Sequence, residues 1–96
     1  MATVVVTPTA VDNLDTLVRT LSLPGNTRDR VKSSLRPLSR FPSLGAPLEG
    51  RWADFRFILG PWRWMLIVYV YDEATDRVAV VTIQDARSAV AATSGS

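Results

Sequence analysis

The first half of the chain carries apolar residues at helical spacing. Residues 8–22 place theirs on one face of an amphipathic helix. A second helix is predicted from Thr27 to about Ser39, and Pro37 is expected to kink or end it by removing a backbone donor. The apolar positions of the two predicted helices are Val11, Leu14, Leu17, Val18, Leu21, Val31, Leu35 and Leu38. Pro24-Gly25-Asn26 separates the two segments, so the pattern predicts a helical hairpin.

The rest of the chain is patterned as β-strands. The predicted strands are a short β-branched run at residues 3–7 and three consecutive segments at residues 52–59, 62–71 and 78–83. Gly60-Pro61 and residues 72–76 are predicted turns, which makes the three later strands an antiparallel meander. A short helix is expected over residues 85–92, followed by a frayed tail at residues 93–96.

These elements predict one α+β domain that covers residues 1–96. A short N-terminal strand and the helical hairpin pack on a small antiparallel sheet of about four strands, and a short helix follows. With 96 residues, of which 47% are apolar, the chain suits a single hydrophobic core. The longest apolar run, Trp64 to Tyr71, is far shorter than the roughly 20 residues that span a bilayer. Because Met1 to Val6 also lacks a basic signal region, we expect a cytoplasmic protein with no membrane partner.

Two segments place an arginine between large rings. In Phe55-Arg56-Phe57 and Trp62-Arg63-Trp64, a period of two puts the rings on one face of a strand and the guanidinium on the other. From Arg19 to Arg63 the chain has nine basic residues and three acidic ones. Arginine suits bidentate contacts with phosphate or carboxylate, although a GC-rich genome would produce the same excess of arginine. The pattern predicts a sheet with an apolar face and an arginine-bearing face that binds an anionic group.

The composition excludes several kinds of chemistry. The chain contains no cysteine and no histidine. Disulfides, thiolate or imidazole metal sites, a cysteine nucleophile and a histidine general base are therefore excluded. We expect no cofactor and no metal.

The order of these elements resembles the RelE/ParE superfamily of bacterial type II toxins. Residues 42–50 are similar to the "P..G..L.G" segment that commonly follows the second helix of the superfamily. Residues 52–59 are similar to its next strand, which is rich in basic and apolar residues, and residues 62–73 to its "YR…Y.v.de" strand. Residues 85–90 correspond to the "dRR" element that tends to end the last strand. The resemblance covers nearly the whole chain.

The resemblance implies a toxin that a cognate antitoxin neutralises with helical or extended segments. RelE-like members cut mRNA in the ribosomal A site, and we take a ribosome-dependent mRNA endoribonuclease as the favoured function. By similarity, Arg63, Arg56 and Arg87 would then converge on the scissile phosphate as catalytic residues. The candidate nucleic-acid contacts are Arg28, Lys32, Arg36 and Arg51. The ribosome and its mRNA would be the partners.

The chain departs from the superfamily pattern at two positions that matter for catalysis. Counting back from Asp72 puts Trp64 and Met65 where the "YR" pair falls, and Val90 stands near the place of a C-terminal tyrosine. Asp85 and Tyr69 are the nearby candidates for a general base.

Two alternatives to the ribonuclease therefore stay open. ParE-like members share the fold and inhibit DNA gyrase without a nuclease site. A non-catalytic binding module on the same scaffold is the third interpretation. Trp52, Trp62 and Trp64 are interpreted as core or interface residues, and Arg63 has a structural alternative as a cation stacked on a tryptophan ring.

Overall fold

The structure, a computed structural model, describes residues 1–87 as a mixed five-stranded sheet with helices on one face. Its strands are β1 (Thr3–Val6), β2 (Ala46–Pro47), β3 (Phe55–Leu59), β4 (Met65–Asp72) and β5 (Arg77–Asp85). Its α-helices are α1 (Pro8–Thr20), α2 (Thr27–Leu35) and the single turn α3 (Pro37–Arg40), and a short 3-10 helix covers Gly50–Trp52. The strand order is β1-β5-β4-β3-β2, in which β1 runs parallel to β5 and the other neighbours are antiparallel.

The α+β class, the helical hairpin and the three-stranded meander are confirmed. The sheet differs from the expectation of about four antiparallel strands, because β1 joins β5 in parallel and a two-residue β2 pairs with β3. The second predicted helix is divided in two just before Pro37, whose ring cannot donate a backbone hydrogen bond. The expected helix at 85–92 lies largely outside the described residues, and the tail at 93–96 lies wholly outside them. No helix within residues 1–87 is long and apolar enough to cross a membrane.

Thr7 joins the first strand to the first helix. Its hydroxyl accepts a hydrogen bond from the Ala10 amide at 3.3 Å, which caps the N-terminus of α1, and Pro8 follows at the first helical position. The same hydroxyl donates to the Val80 carbonyl at 2.8 Å. One side chain therefore fixes where α1 begins and how it lies on β5.

The hydrophobic core lies between the helices and one face of the sheet. The helices contribute Ala10, Leu14, Val31, Leu35 and Leu38, and the sheet contributes Met65, Ile67, Tyr69, Val78, Val80 and Ile83. A register shift between Val68 and Tyr69 gives β5 one extra residue. Because of this extra residue, the side chain of Ile83 points into the core, as those of Val78 and Val80 do. Because no α-helix of residues 1–87 covers the opposite face, we call that face the open face.

Candidate functional site

Arg56 lies on the helix-covered side of the sheet. Its partner across the β3–β4 ladder is Tyr69, and directly paired residues share a face, so Arg56 points to the same side as the buried tyrosine. Phe55 and Phe57 point to the open face. The predicted period of two is confirmed in this segment, where the rings and the arginine lie on opposite faces, but the face that carries Arg56 is the one that the helices cover.

The guanidinium of Arg56 holds a loop. Its Nη1 donates to the Gly45 carbonyl at 2.8 Å and to the Ser43 carbonyl at 3.3 Å. These bonds give two loop carbonyls a hydrogen-bond donor. Arg56 is thus placed as a positioning residue for the loop of residues 42–45.

Tyr69 binds the same loop from the buried side of the sheet. Its hydroxyl donates to the Pro42 carbonyl at 2.7 Å and accepts from the Gly45 amide at 2.8 Å, and the residue is 0% exposed. Gly45 is required there, because a Cβ would lie 2.6 Å from the Phe57 carbonyl oxygen and 2.7 Å from the Tyr69 hydroxyl. As a candidate general base, Tyr69 is enclosed and already bonded twice.

Arg63 lies in the turn between β3 and β4 rather than in a strand. The turn is closed by the Gly60 amide, which donates to the Met65 carbonyl at 2.9 Å, and by the Met65 amide, which donates to the Trp62 carbonyl at 3.0 Å. Arg63 is exposed, and within residues 1–87 it forms no hydrogen bond, ion pair or ring contact. Its guanidinium is available to an external anion.

The two tryptophans beside Arg63 form a stack with two other arginines. The Trp62 and Trp64 rings lie 5.7 Å apart and nearly parallel, at 11°. The Arg30 guanidinium lies 4.7 Å from the Trp62 ring, and that of Arg87 lies 4.9 Å from the Trp64 ring. We call these four side chains the Trp–Arg stack. The cation–π contact with a tryptophan ring that was the structural alternative for Arg63 is made by Arg30 and Arg87 instead. The contact of Arg30 with Trp62 could not be read from the sequence, because no local pattern links the two residues.

Arg87 is also paired with Asp85. Its Nε and Nη2 each lie 3.0 Å from a different carboxylate oxygen, and the Asp85 side chain is 13% exposed. The hydrogen bond to Asp85 raises the pKa of Arg87 above its ordinary value, so the guanidinium stays charged. This bidentate pairing occupies Asp85, the other candidate general base.

The three candidate catalytic arginines divide between two places. The Ala86 amide donates to the Trp64 carbonyl at 2.7 Å, which brings Arg87 beside the turn that carries Arg63. Arg56 pairs with Tyr69 of β4, which comes five residues after Trp64. At about 3.3 Å per residue, the backbone positions of Trp64 and Tyr69 are roughly 17 Å apart. The structure brings Arg63 and Arg87 to one end of the sheet and places Arg56 elsewhere.

The candidate nucleic-acid contacts are also spread over the surface. Arg28 forms an ion pair with Asp15, and the Arg51 guanidinium lies 5.6 Å from the Trp52 ring. Lys32 and Arg36 line a separate cavity of about 620 Å³ between β1 and the α2–α3 segment, which we call the edge groove. Its lining residues are Val4, Val6, Lys32, Leu35, Arg36, Ser39 and Arg40. Arg40 continues the i, i+4 stripe of Lys32 and Arg36, and that spacing could have identified it from the sequence.

The open face has an apolar cavity of about 460 Å³. Within residues 1–87, the side chains that line this cavity are all uncharged, and they include those of Phe55, Leu66, Val68 and Trp52. Trp52 is 53% exposed, and its ring lies 5.8 Å from that of Phe55. This surface is suited to a partner with apolar side chains more than to a phosphate backbone. No cluster of acidic side chains within residues 1–87 could hold a metal ion.

Comparison with known proteins finds likeness in structure alone. No protein-family model matches the chain, and no curated protein does so. A chain of the toxin–antitoxin complex RelBE2 from Mycobacterium tuberculosis matches with a TM-score of 0.61 and 22% identity, over 88% of this chain and 96% of that one.

Two proteins from Helicobacter pylori are similar to the same degree. The conserved hypothetical protein HP0892 matches with a TM-score of 0.60 and 20% identity, over 88% of this chain and 94% of that one. The conserved hypothetical protein HP0894 matches with a TM-score of 0.57 and 18% identity, over 86% of this chain and 92% of that one. These likenesses are likenesses of fold, and that fold agrees with the architecture that the resemblance to the RelE/ParE superfamily predicts.

Proposed function

We propose that this chain is the toxin component of a type II toxin–antitoxin module and that a cognate antitoxin neutralises it. The observation that carries the proposal is the likeness to a chain of the RelBE2 toxin–antitoxin complex over nearly the full length of both chains. The order of sequence motifs in residues 42–90 supports it independently. The toxin would act in the cytoplasm, where its targets are found.

For the mode of action, the geometry favours inhibition by binding over RNA cleavage. A ribonuclease needs a base to activate the 2′-hydroxyl and cations around the scissile phosphate. Tyr69 is enclosed and doubly hydrogen bonded, Asp85 is paired with Arg87, and Arg56 is bonded to loop carbonyls. The open face offers apolar side chains, which suit a protein target. DNA gyrase is the protein target that the ParE-like resemblance implies.

RNA cleavage remains the second candidate because of Arg63. Its guanidinium is exposed and free of partners within residues 1–87, and the charged Arg87 lies on the neighbouring segment. Two arginines at one end of a sheet can bind a phosphate with bidentate, charge-assisted hydrogen bonds. On this alternative the ribosome and its mRNA are the partners.

Induced expression in a bacterial host tests the toxin role. We expect growth arrest, and relief when the product of the adjacent gene is co-expressed. Full growth despite verified expression of folded protein would contradict the proposal. The exposed Arg77, which lies outside the candidate site, supplies a control in Arg77→Ala, which should arrest growth like the parent.

Two assays separate the modes of action. Inhibition by binding predicts loss of supercoiling by purified gyrase and unchanged mRNA in the first minutes after induction. New ribosome-dependent 5′ ends, detected by primer extension, would instead establish cleavage. In that case Arg63→Ala should abolish toxicity and Arg63→Lys should restore little, because lysine keeps the charge but lacks the bidentate geometry.

A further inference from the structure

The extra residue of β5 shapes the apolar cavity on the open face, which we call the open-face cavity. Val80 pairs with Tyr69 and is buried, and Thr82 pairs with Val68. Val81, between them, has no partner on β4. Because an extra residue breaks the alternation of a strand, two consecutive side chains face the same side. Val81 and Thr82 accordingly both line the open-face cavity.

The 3-10 helix brings Trp52 beside this surface. The Leu48 amide donates to the Phe55 carbonyl at 3.0 Å, which closes the chain between them into a loop next to β3. Gly50 begins the helix with a φ of 66°, a left-handed conformation that favours glycine. The Trp52 ring lies 5.8 Å from the Phe55 ring, and the Arg51 guanidinium lies 5.6 Å from the Trp52 ring. Trp52 is therefore held as one wall of the cavity while about half of it stays exposed.

The open-face cavity has the size and lining of a small-molecule site. Its volume of about 460 Å³ falls within the range of roughly 300–1,000 Å³ that such sites occupy. Of the side chains in residues 1–87 that line it, those of Thr82 and Gln84 are polar and the others are aliphatic or aromatic. A charged ligand would lose hydration here without gaining a counter-ion from this lining. The occupant that fits is therefore uncharged and largely apolar.

Gln84 and Thr82 supply polar contacts on one side of the cavity. Gln84 pairs with Leu66 and Thr82 with Val68, so both side chains lie on the open face. The Gln84 Nε2 donates to the Thr82 hydroxyl oxygen at 3.4 Å, and within residues 1–87 the Gln84 carboxamide oxygen accepts no hydrogen bond. A carboxamide has two N–H donors and a carbonyl acceptor. Gln84 can therefore pair with a ligand that carries a donor and an acceptor side by side.

We propose that the open-face cavity binds an uncharged aromatic lactam, a planar fused-ring heterocycle with adjacent N–H and C=O groups. The rings of the ligand lie against Trp52, Leu66 and Val68. Its N–H donates to the Gln84 carboxamide oxygen, and its carbonyl accepts from the Gln84 amide.

Two other occupants fit less well. A nucleic acid would bring phosphates to a cavity whose lining in residues 1–87 holds no cation. A second copy of this chain that used the cavity at a two-fold axis would set two concave surfaces opposite each other, and the space between them would stay unfilled. The observations therefore favour a small uncharged molecule.

This inference does not rest on the proposed function. The cavity is part of the open face, which the proposed function gives to a protein target, but ligand binding is measured on the purified chain with no assay of toxicity. A chain that binds the lactam and does not arrest growth would keep this inference and contradict the toxin role alone.

The probe is 2-quinolinone, whose two fused rings carry adjacent N–H and C=O groups. In proton–nitrogen NMR spectra of the full chain we expect a saturable shift of the Trp52 indole N–H signal, which is assigned by its loss in Trp52→Phe. Trp62 and Trp64 pack against the core and serve as internal references. A ligand with about eleven non-hydrogen atoms should bind with a dissociation constant on the order of 0.1–1 mM.

Two related molecules test what the cavity recognises. N-methyl-2-quinolinone keeps the rings and the carbonyl but lacks the donor. Quinoline-2-carboxylate keeps the rings and adds a negative charge. Both should bind at least about fivefold more weakly than 2-quinolinone, because the first loses a hydrogen bond and the second buries a charge without a counter-ion.

Variants of the cavity supply the second arm of the experiment. Gln84→Leu replaces the carboxamide by an apolar group at an exposed position and should reduce the binding of 2-quinolinone to that of its N-methyl form. Trp52→Ala removes a wall and should weaken binding about tenfold, followed through the backbone amide signal of Val81. Phe41→Ala, at an exposed aromatic residue outside the cavity, is the matched control and should leave binding unchanged. Thermal melts establish that each variant is folded, and Gln84→Leu carries the test if Trp52→Ala is not.

Three results would overturn the inference. The first is no shift of the Trp52 signal at millimolar 2-quinolinone. The second is equal binding of 2-quinolinone and either related molecule, or equal binding of 2-quinolinone by the parent chain and the folded Gln84→Leu variant. The third is failure of 2-quinolinone to bind where a single-stranded RNA shifts the Trp52 signal, or where sedimentation shows a dimer that Trp52→Ala abolishes.

Discussion

Two segments with the same ring-arginine-ring pattern have opposite structures. Phe55-Arg56-Phe57 lies within β3, which is paired on both sides, and its arginine is bonded to loop carbonyls on the covered face. Trp62-Arg63-Trp64 lies in a turn, where the rings stack on each other and the arginine points to solvent. A period of two fixes the direction of a side chain only where strand pairing holds the backbone extended.

The residues before the second segment explain the difference. Gly60-Pro61 ends the pairing of β3, and β4 begins only at Met65. Proline cannot donate to a ladder, so the three residues that follow it are free to form a turn. The arginine in the ladder is occupied by the fold, and the arginine in the turn is the one that an external ligand can reach. The following predictions test this contrast.

The largest effect should come from the loop that Arg56 holds. Gly45→Ala places a Cβ 2.6 Å from the Phe57 carbonyl oxygen and 2.7 Å from the Tyr69 hydroxyl, so the loop must move away from β3 and from Tyr69. We expect the free energy of unfolding to fall by about 3 kcal/mol. Urea denaturation measures it. Gly25→Ala is the matched control, because its Cβ would meet nothing within 4 Å and should change stability by less than about 0.5 kcal/mol.

Arg56 and Arg63 should contribute differently to stability, which replacement by methionine tests, because methionine removes the charge and keeps much of the aliphatic stem. Arg56→Met leaves the Gly45 and Ser43 carbonyls without this donor and should lower the free energy of unfolding by about 1–2 kcal/mol, a range reduced for partial solvent access. Arg63→Met removes no contact within residues 1–87 and should stay within about 0.5 kcal/mol of the parent. Equal losses in urea denaturation would remove the distinction between the two segments.

Coupling to the tryptophans should distinguish Arg87 from Arg63. A double-mutant cycle with Arg87→Met and Trp64→Leu should give a coupling energy of about 0.5–1 kcal/mol, because the guanidinium lies 4.9 Å from the ring. The same cycle with Arg63→Met should give a value near zero. A larger coupling for Arg63 than for Arg87 would contradict the arrangement of the Trp–Arg stack.

Local pattern predicted most of the fold but only part of the candidate site. The helical hairpin and the meander followed from apolar spacing and from breakers such as Pro24 and Gly60, since both act over a few residues. The parallel pairing of β1 with β5 joins Thr3 to Arg77, and no local signal specifies a contact across so long a separation.

The contacts of the candidate site depend on tertiary structure more than the secondary-structure elements do, so the sequence predicted them less well. The exposure of Arg63 agrees with its role as a candidate ligand contact, which stays a prediction. The bonds of Arg56 to the loop depend on which face of the sheet the helices cover, and alternation alone does not decide that. The Arg30–Trp62 contact and the edge groove beside Lys32 arise only when distant segments pack together.

The smallest effect extends the same contrast to the two tyrosines of β4. Tyr69 is buried and bonded to the loop backbone, whereas Tyr71, two residues on, donates to the Asp76 carboxylate at 2.7 Å near the surface. This hydrogen bond, with lesser contributions from burial and nearby acidic groups, raises the pKa of Tyr71 above its ordinary value of 10.0. A raised folded-state pKa means that the stabilisation is fully present below the unfolded value and is lost as the pH rises through the folded value.

We therefore expect the stability difference between the parent and Asp76→Asn to be constant at neutral pH and to shrink on going from about pH 9 to about pH 11. Asparagine tolerates the left-handed backbone at position 76, where φ is 51°, so this variant removes the charge without adding strain. Urea denaturation across that range measures the difference, and absorbance of the tyrosinate in the parent and in Tyr71→Phe identifies the group that titrates. A difference that grows with pH would mean that Asp76 stabilises the fold through a group other than the Tyr71 hydroxyl.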